Sequence, residues 1–137
     1  MTAQVSVIST GLATDKINAL MQELIKRPQV ECPVSHHFGP NIYIREVVMP
    51  AGTVVVGKPH KTEHMCNMIS GRMIVVNEDG EQKEVVAPAV FMANKGRKTA
   101  YIIETVRFQN IFATEETDIE KLENMLVDNT PPLLEGK

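Results

Sequence analysis

Between Ile42 and Ala113 the chain consists of short runs rich in Val, Ile, Tyr and Phe, broken every few residues by Gly, Pro or Asn. Runs of this length and composition, bounded by turn-forming residues, make β-strands. The pattern predicts strands at Ile42 to Val48, Thr53 to Val56, His64 to Ser70, Arg72 to Asn77, Gln82 to Val86, Ala89 to Met92, Thr99 to Glu104 and Arg107 to Ala113. The breaks are Met49-Pro50-Ala51-Gly52, Ser70-Gly71, Glu78-Asp79-Gly80, Ala87-Pro88 and Asn94-Lys95-Gly96. Each offers a proline that presets φ, or a glycine or asparagine that tolerates a positive one. About eight short strands with tight connections need a closed or two-sheet antiparallel barrel, because closure removes edges that would pair with other chains. The expected fold class is mainly β, a single-domain antiparallel barrel.

Outside this block the periodicity changes. Ile17, Leu20, Met21, Leu24 and Ile25 fall on one helical stripe, with Thr14 or Asp15 as cap and Pro28 as stop, which predicts an amphipathic helix over 14–27. Thr117-Asp118-Ile119-Glu120 reads as a capping box ahead of Leu122, Met125 and Leu126, which predicts a second over 117–128. Paired prolines mark 129–137 as an extended tail. A chain of 137 residues supports one sizeable core, so 1–137 reads as a single domain with its barrel over 40–113.

Several function classes find no support. A net charge of −3 gives no global attraction to nucleic acid or anionic membrane, and an aromatic content of 4% leaves few stacking platforms for a nucleic-acid polymer. No apolar run approaches the roughly 20 residues of a spanning helix. The start MTAQVSVIST lacks the basic and long apolar stretches of a signal peptide, so a cytoplasmic protein is expected. Cys32 and Cys66 stand outside any C-x-x-C arrangement and read as free thiols. Phosphate-loop, dinucleotide and nucleophile-elbow signatures do not occur.

The stretch that concentrates chemistry is GKPHKTEHMCNMISG, residues 57 to 71. If it approaches and forms a barrel strand, Lys58, His60, Thr62, His64, Cys66 and Met68 share a face. Buried imidazoles without partners cost roughly 1 to 3 kcal/mol each, so hydrogen bonds within the barrel, a metal or a ligand must satisfy them. A divalent metal needs three or four converging ligands, and only His60 and His64 are evident. Cys66, Glu63, Glu104 and Tyr101 are candidates for a third. The cations offer another route: Lys58, Lys61, Arg72, Lys95, Arg97 and Lys98 would ring one mouth if the two turns lie together, focusing a field on a small anion. The candidate ligand-binding residues are thus Lys58, His60, His64, Arg72, Arg97, Lys98 and Tyr101, the last packing against a ring. His36 and His37 read as a surface loop or subunit contact, Arg45 as an exposed cross-strand pair, and Glu104 as an ion-pair partner of Arg107.

The spacing of Gly52, Lys58, His60, His64 and Gly71 resembles the first motif of the cupin family, with Lys58 in place of a metal-binding histidine and His64 in place of the glutamate. The second motif falls on 88–103 and keeps only Gly96. The phrases HHFGPNIYIREVVMPAG, HKTEH, VVNEDG and ATEETDIEKLE are similar to those of compact cupin-like proteins of tailed phages. The resemblance implies an RmlC-like jelly roll, a homodimer or higher homo-oligomer, and an infected bacterial cytoplasm as the setting. Three functions are compatible with it: a protein holding a small anion such as a nucleotide or a host signalling nucleotide, an enzyme with Zn, Fe, Mn or Ni on His60 and His64, or a virion or assembly component whose flanking helices pack on a neighbour.

Overall fold

The computed structural model describes residues 29–57, 60–77, 79–93 and 98–127 together with Ala19, Glu23 and Lys26, and over residues 29–127 the described chain forms seven strands and a helix. In chain order they are β1 (Val34–Gly39), β2 (Ile42–Met49), β3 (Val54–Val56), β4 (His64–Val76), β5 (Gln82–Val86), β6 (Ala89–Ala93), β7 (Thr99–Ala113) and α1 (Ile119–Leu126). Every strand pairing is antiparallel, as short connections demand. Apart from Ala19, Glu23 and Lys26, the expected helix over 14–27 lies outside the described residues, as does the 129–137 tail.

The long strands β4 and β7 run side by side and organise everything else. All seven strands belong to one sheet, and the two halves of each long strand take different partners: the start of β4 pairs with β6 and its end with β5, while the start of β7 pairs with β3 and its end with β2. Each long strand therefore bends from one layer of the barrel into the other. The bend sits where the β4–β7 register shifts, between Met68 and Met73. Gly71 makes it possible, because its φ of 98° suits glycine, and a Cβ there would lie 2.2 Å from the Thr105 carbonyl oxygen. This corrects two expectations. Ser70-Gly71 is a bulge within one strand and not a turn between two, and the pieces expected at Thr99 to Glu104 and Arg107 to Ala113 are likewise one strand.

The segment expected as a surface loop is a strand. His36 and His37 lie in β1, which pairs with β2 through a connection in which Pro40 presets one corner and Asn41 takes a φ of 59°. Its alternation is hidden in the sequence because all six residues are exposed at the edge of the sheet.

Strand alternation sorts side chains into an inner and an outer set. Val47, Met49, Met68, Met73, Ile102 and Val106 form the main buried cluster, flanked by Phe91 and Phe108 in edge-to-face contact. Tyr43, Phe112 and Leu122 form a second cluster at the other end. On the outer face of the β2-β7-β4-β6 sheet, Met65, Ile69, Val90 and Met92 are exposed.

The second cluster owes its Leu122 to α1. Asp118 caps this helix by accepting a hydrogen bond from the Lys121 amide at 3.1 Å, and the Glu116 carboxylate accepts from the amides of Thr117 and Asp118. The cap is thus Asp118 and not the Thr117–Glu120 box, and the helix is shorter than 117–128. Leu122 is 1% exposed and packs on Tyr43 and Phe112 of its own barrel. Ile119 and Leu126 pack against the same cluster, while Met125 of the same helix stays exposed.

Candidate functional site

Residues 60 to 66 carry the site's first half. His60 precedes β4 and forms an isolated bridge with Val127, while the Lys61 amide and ammonium donate to the carbonyls of Leu126 and Asn124, at 2.9 and 2.7 Å. The end of α1 is thereby fastened across the strand that bears the histidines. Lys61 spends its charge on these carbonyls and leaves the expected cationic ring. His64, Cys66 and Met68 point inward from β4, as strand alternation requires.

The two imidazoles converge. Their ring centroids are 4.4 Å apart, and the Phe112 ring lies 4.6 Å from His64 and 6.2 Å from His60. Asn110, on β7 opposite Cys66, accepts a hydrogen bond from His64 Nε2 at 2.8 Å and lies 3.9 Å from the Cys66 sulfur. Among the described residues, Nδ1 of both histidines is buried without a hydrogen-bond partner. The Thr62 backbone lies against the His64 ring and favours its charged form.

Electrostatics complete the picture. Burial, then the His64 ring, Lys98 and Arg45, push His60 down to about 4. Burial also lowers His64, against the opposing pull of Asn110 and Thr62. Both rings are neutral at pH 7. Burial pushes the Cys66 thiol up to about 12, so it is protonated and inert.

Arg45 is the residue that sequence reasoning placed wrongly. It shares the inner face with Tyr43, Val47 and Met49, is half-buried, and lies opposite Asn110 in the β2–β7 register. Its charge is felt by His60, Tyr43 and Cys32. Among the described residues no carboxylate forms an ion pair with it. The adjacent Glu46 faces outward and is crowded with donors: Arg107, Gln109 at 2.9 Å and His37 at 3.2 Å. Both faces of IYIREVV mix apolar with charged residues, so only the pairing partners reveal which charge is inside.

Other expected site residues stand elsewhere. Arg72 lies eight residues along β4 from His64 and is held by Glu84 at 3.3 Å and Glu104 at 3.9 Å, so Glu104 pairs with Arg72 and not with Arg107. Tyr101 lies opposite Ile74, on the face away from Ala100 and Ile102, and does not face the histidines. Lys98 is brought to the site, where its charge acts on both histidines and Cys66. Lys58, Lys95 and Arg97 lie outside the described residues.

No protein-family model matches the sequence, and no curated protein matches it. Solved structures do match its architecture. Ectoine synthase from P. lautus superposes with a TM-score of 0.56 at 12% identity, over 74% of this chain and 78% of that one. An RmlC-like cupin family protein with a double-stranded β-helix fold from Methanocaldococcus jannaschii gives 0.51 at 18% identity, over 71% and 90%. A cupin superfamily protein from Desulfitobacterium hafniense gives 0.51 at 12% identity, over 82% and 100%. The fold is a cupin-like jelly roll.

A cupin barrel raises the question of a metal, and the donor set among the described residues does not fit one. Among the described residues no group of three His, Cys, Asp or Glu side chains could hold an ion. Of the expected third ligands, Glu63 is exposed, Glu104 is paired with Arg72 and Tyr101 faces away, while the Cys66 thiol is turned to the Asn110 amide oxygen. Two cations, Arg45 and Lys98, act on the same imidazoles that would ligate a third. What the arrangement offers instead is fixed positive charge beside neutral imidazoles.

Proposed function

We propose that this cupin-like protein binds a small anionic molecule in the histidine-bearing end of its barrel. One observation carries the reading: Arg45, a half-buried residue on the inner face, has no carboxylate ion-paired to it among the described residues and stands beside two imidazoles whose buried Nδ1 atoms are likewise without partners there. An uncompensated inner charge is costly, and an anion from solution removes that cost. Lys98 adds to the same field. The cations differ from the expected set, since Arg45 replaces Arg72 and the positions of Lys58 and Arg97 are not described.

A small oxyanion suits the site better than a nucleotide. Tyr101, the expected stacking platform for a base, faces away, and Phe112 is already packed between the histidines and Leu122. The expected homo-oligomer belongs to the same proposal; the exposed Met65, Ile69, Val90 and Met92 on one sheet face favour it. Calorimetry of the full chain against small carboxylates, inorganic phosphate, nucleotides and cyclic dinucleotides tests the reading. Micromolar binding of a small oxyanion, weakened by salt, is expected; no heat with any anion would falsify it.

A further inference from the structure

The inner face is open to solvent along β1. Val34, His36 and Phe38 share that face with Val47, Arg45 and Tyr43, the residues directly opposite them on β2, yet all three are exposed, Phe38 by 46%. A molecule therefore reaches Arg45 from this side, whereas His64 is closed off at the other side of Phe112.

His36 has one nitrogen committed and one available. Its Nδ1 lies 2.8 Å from the Tyr43 hydroxyl oxygen, and Tyr43 is buried. The phenol hydrogen has no other acceptor among the described residues, and a buried O–H needs one, so Nδ1 accepts it. Nε2 then carries the proton of the neutral ring, and it is a donor in the charged ring as well. Arg45 stands directly across the strand pair, with Cβ atoms about 5 Å apart, so the imidazole N–H and the guanidinium can serve one carboxylate. Phe38 is the next residue of β1 on the same face, about 6.6 Å along the strand. Its ring lies 5.3 Å from Tyr43 at an interplanar angle of 24°, His36 lies 5.8 Å from Tyr43 at 17°, and Tyr43 stacks in turn on Phe112 at 5.9 Å. A ring backed in this way is ordered before any ligand arrives, and a further planar ring extends the stack from its exposed side at little cost in ordering.

We infer, building on the anion-binding reading, that the occupant is a small aryl-substituted carboxylate: its carboxylate lies between Arg45 and His36 Nε2, and its ring, on a short aliphatic spacer, stacks on Phe38. The test is calorimetry and NMR of the full chain with phenylpropionate, propionate, cyclohexylpropionate and phenylpropanol. Expected is about tenfold tighter binding of phenylpropionate than of propionate, the worth of one stacked ring. Cyclohexylpropionate should bind between the two, and the uncharged alcohol should not bind. Nuclear Overhauser contacts should join the aryl protons of the ligand to the Phe38 ring. Phe38→Ala, at an exposed position, should abolish the advantage of the aryl acid and leave propionate unchanged, and His36→Ala should weaken both acids alike. Equal affinity for phenylpropionate and propionate, an aryl advantage that survives Phe38→Ala, a cyclohexyl acid that binds as tightly as the aryl one, or unchanged acid binding in His36→Ala would each overturn this inference and leave the anion reading standing. Burial of Phe38 against a second copy of the chain in solution would do the same. Absence of binding by every anion would overturn both.

Discussion

At one end of the barrel Val47, Met49, Met68, Met73, Ile102 and Val106 meet with no polar group among them; at the other, Tyr43, Phe112 and Leu122 close around two imidazoles and lie beside a guanidinium. The same three strands, β2, β4 and β7, furnish both ends. Alternation points residues inward at both, so geometry does not distinguish them. What differs is the identity of successive inward residues: Met68 gives way to Cys66 and then His64 along β4, and Val47 to Arg45 and Tyr43 along β2. The apolar end gains stability from burial alone, whereas the polar end retains groups whose partners the described chain does not supply, which is what a binding site requires.

The joint between the ends is the place to break the comparison most severely. Gly71→Ala forces a Cβ into backbone atoms at a positive φ, and a loss of about 4 kcal/mol or more in denaturant titration is expected, affecting both ends together. Next come substitutions within each end. Ile102→Ala should cost about 4 kcal/mol through a cavity in the apolar cluster and leave anion affinity unchanged in the folded fraction. Leu122→Ala should cost about 3 kcal/mol and also alter affinity, because Leu122 backs the Phe112 ring that lies against His64.

Arg45→Gln should reverse this profile. Affinity for a small carboxylate falls about thirtyfold, the equivalent of ~2 kcal/mol, while stability holds or rises because a charge that no described carboxylate pairs is gone. A variant that binds normally would remove the polar end's assigned role. A pH series gives a smaller effect. His60 is held down to about 4 in the folded chain against 6.5 for a free ring, so the unfolded chain takes up the proton first. The stability this confers is complete above about pH 6.5 and is lost as pH falls toward about 4, with His64 acting in the same direction. The denaturant midpoint should drop between these limits, and His60→Phe should flatten the drop where Ile102→Ala does not. Arg72→Ala sets the floor: its ion pairs are partly exposed, so the cost should be about 0.5 kcal/mol, with no change in affinity.

Much of this was legible in the chain. Turn residues and β-branched runs indicated the strands, and the four-residue step from His60 to His64 placed two imidazoles together. Three features stayed hidden. β1 lacks an alternation signal because both its faces are exposed. Gly71 reads identically as turn or bulge until the partner strand is known. Arg45 and Asn110 meet only through the β2–β7 register, across 65 residues of sequence.

The sequence by itself determined where most of the strand-forming runs lie, that they close into a barrel, and which end of β4 bears the histidines, because these depend on local periodicity and turn chemistry. Tertiary structure alone decided that Arg45 faces inward, that Arg72 and Lys61 are engaged elsewhere, and that α1 covers Tyr43 and Phe112. The reason is physical. A residue's local preference is the same on either face of a strand, and only long-range pairing selects the face, the counter-charges and the partners that remain absent.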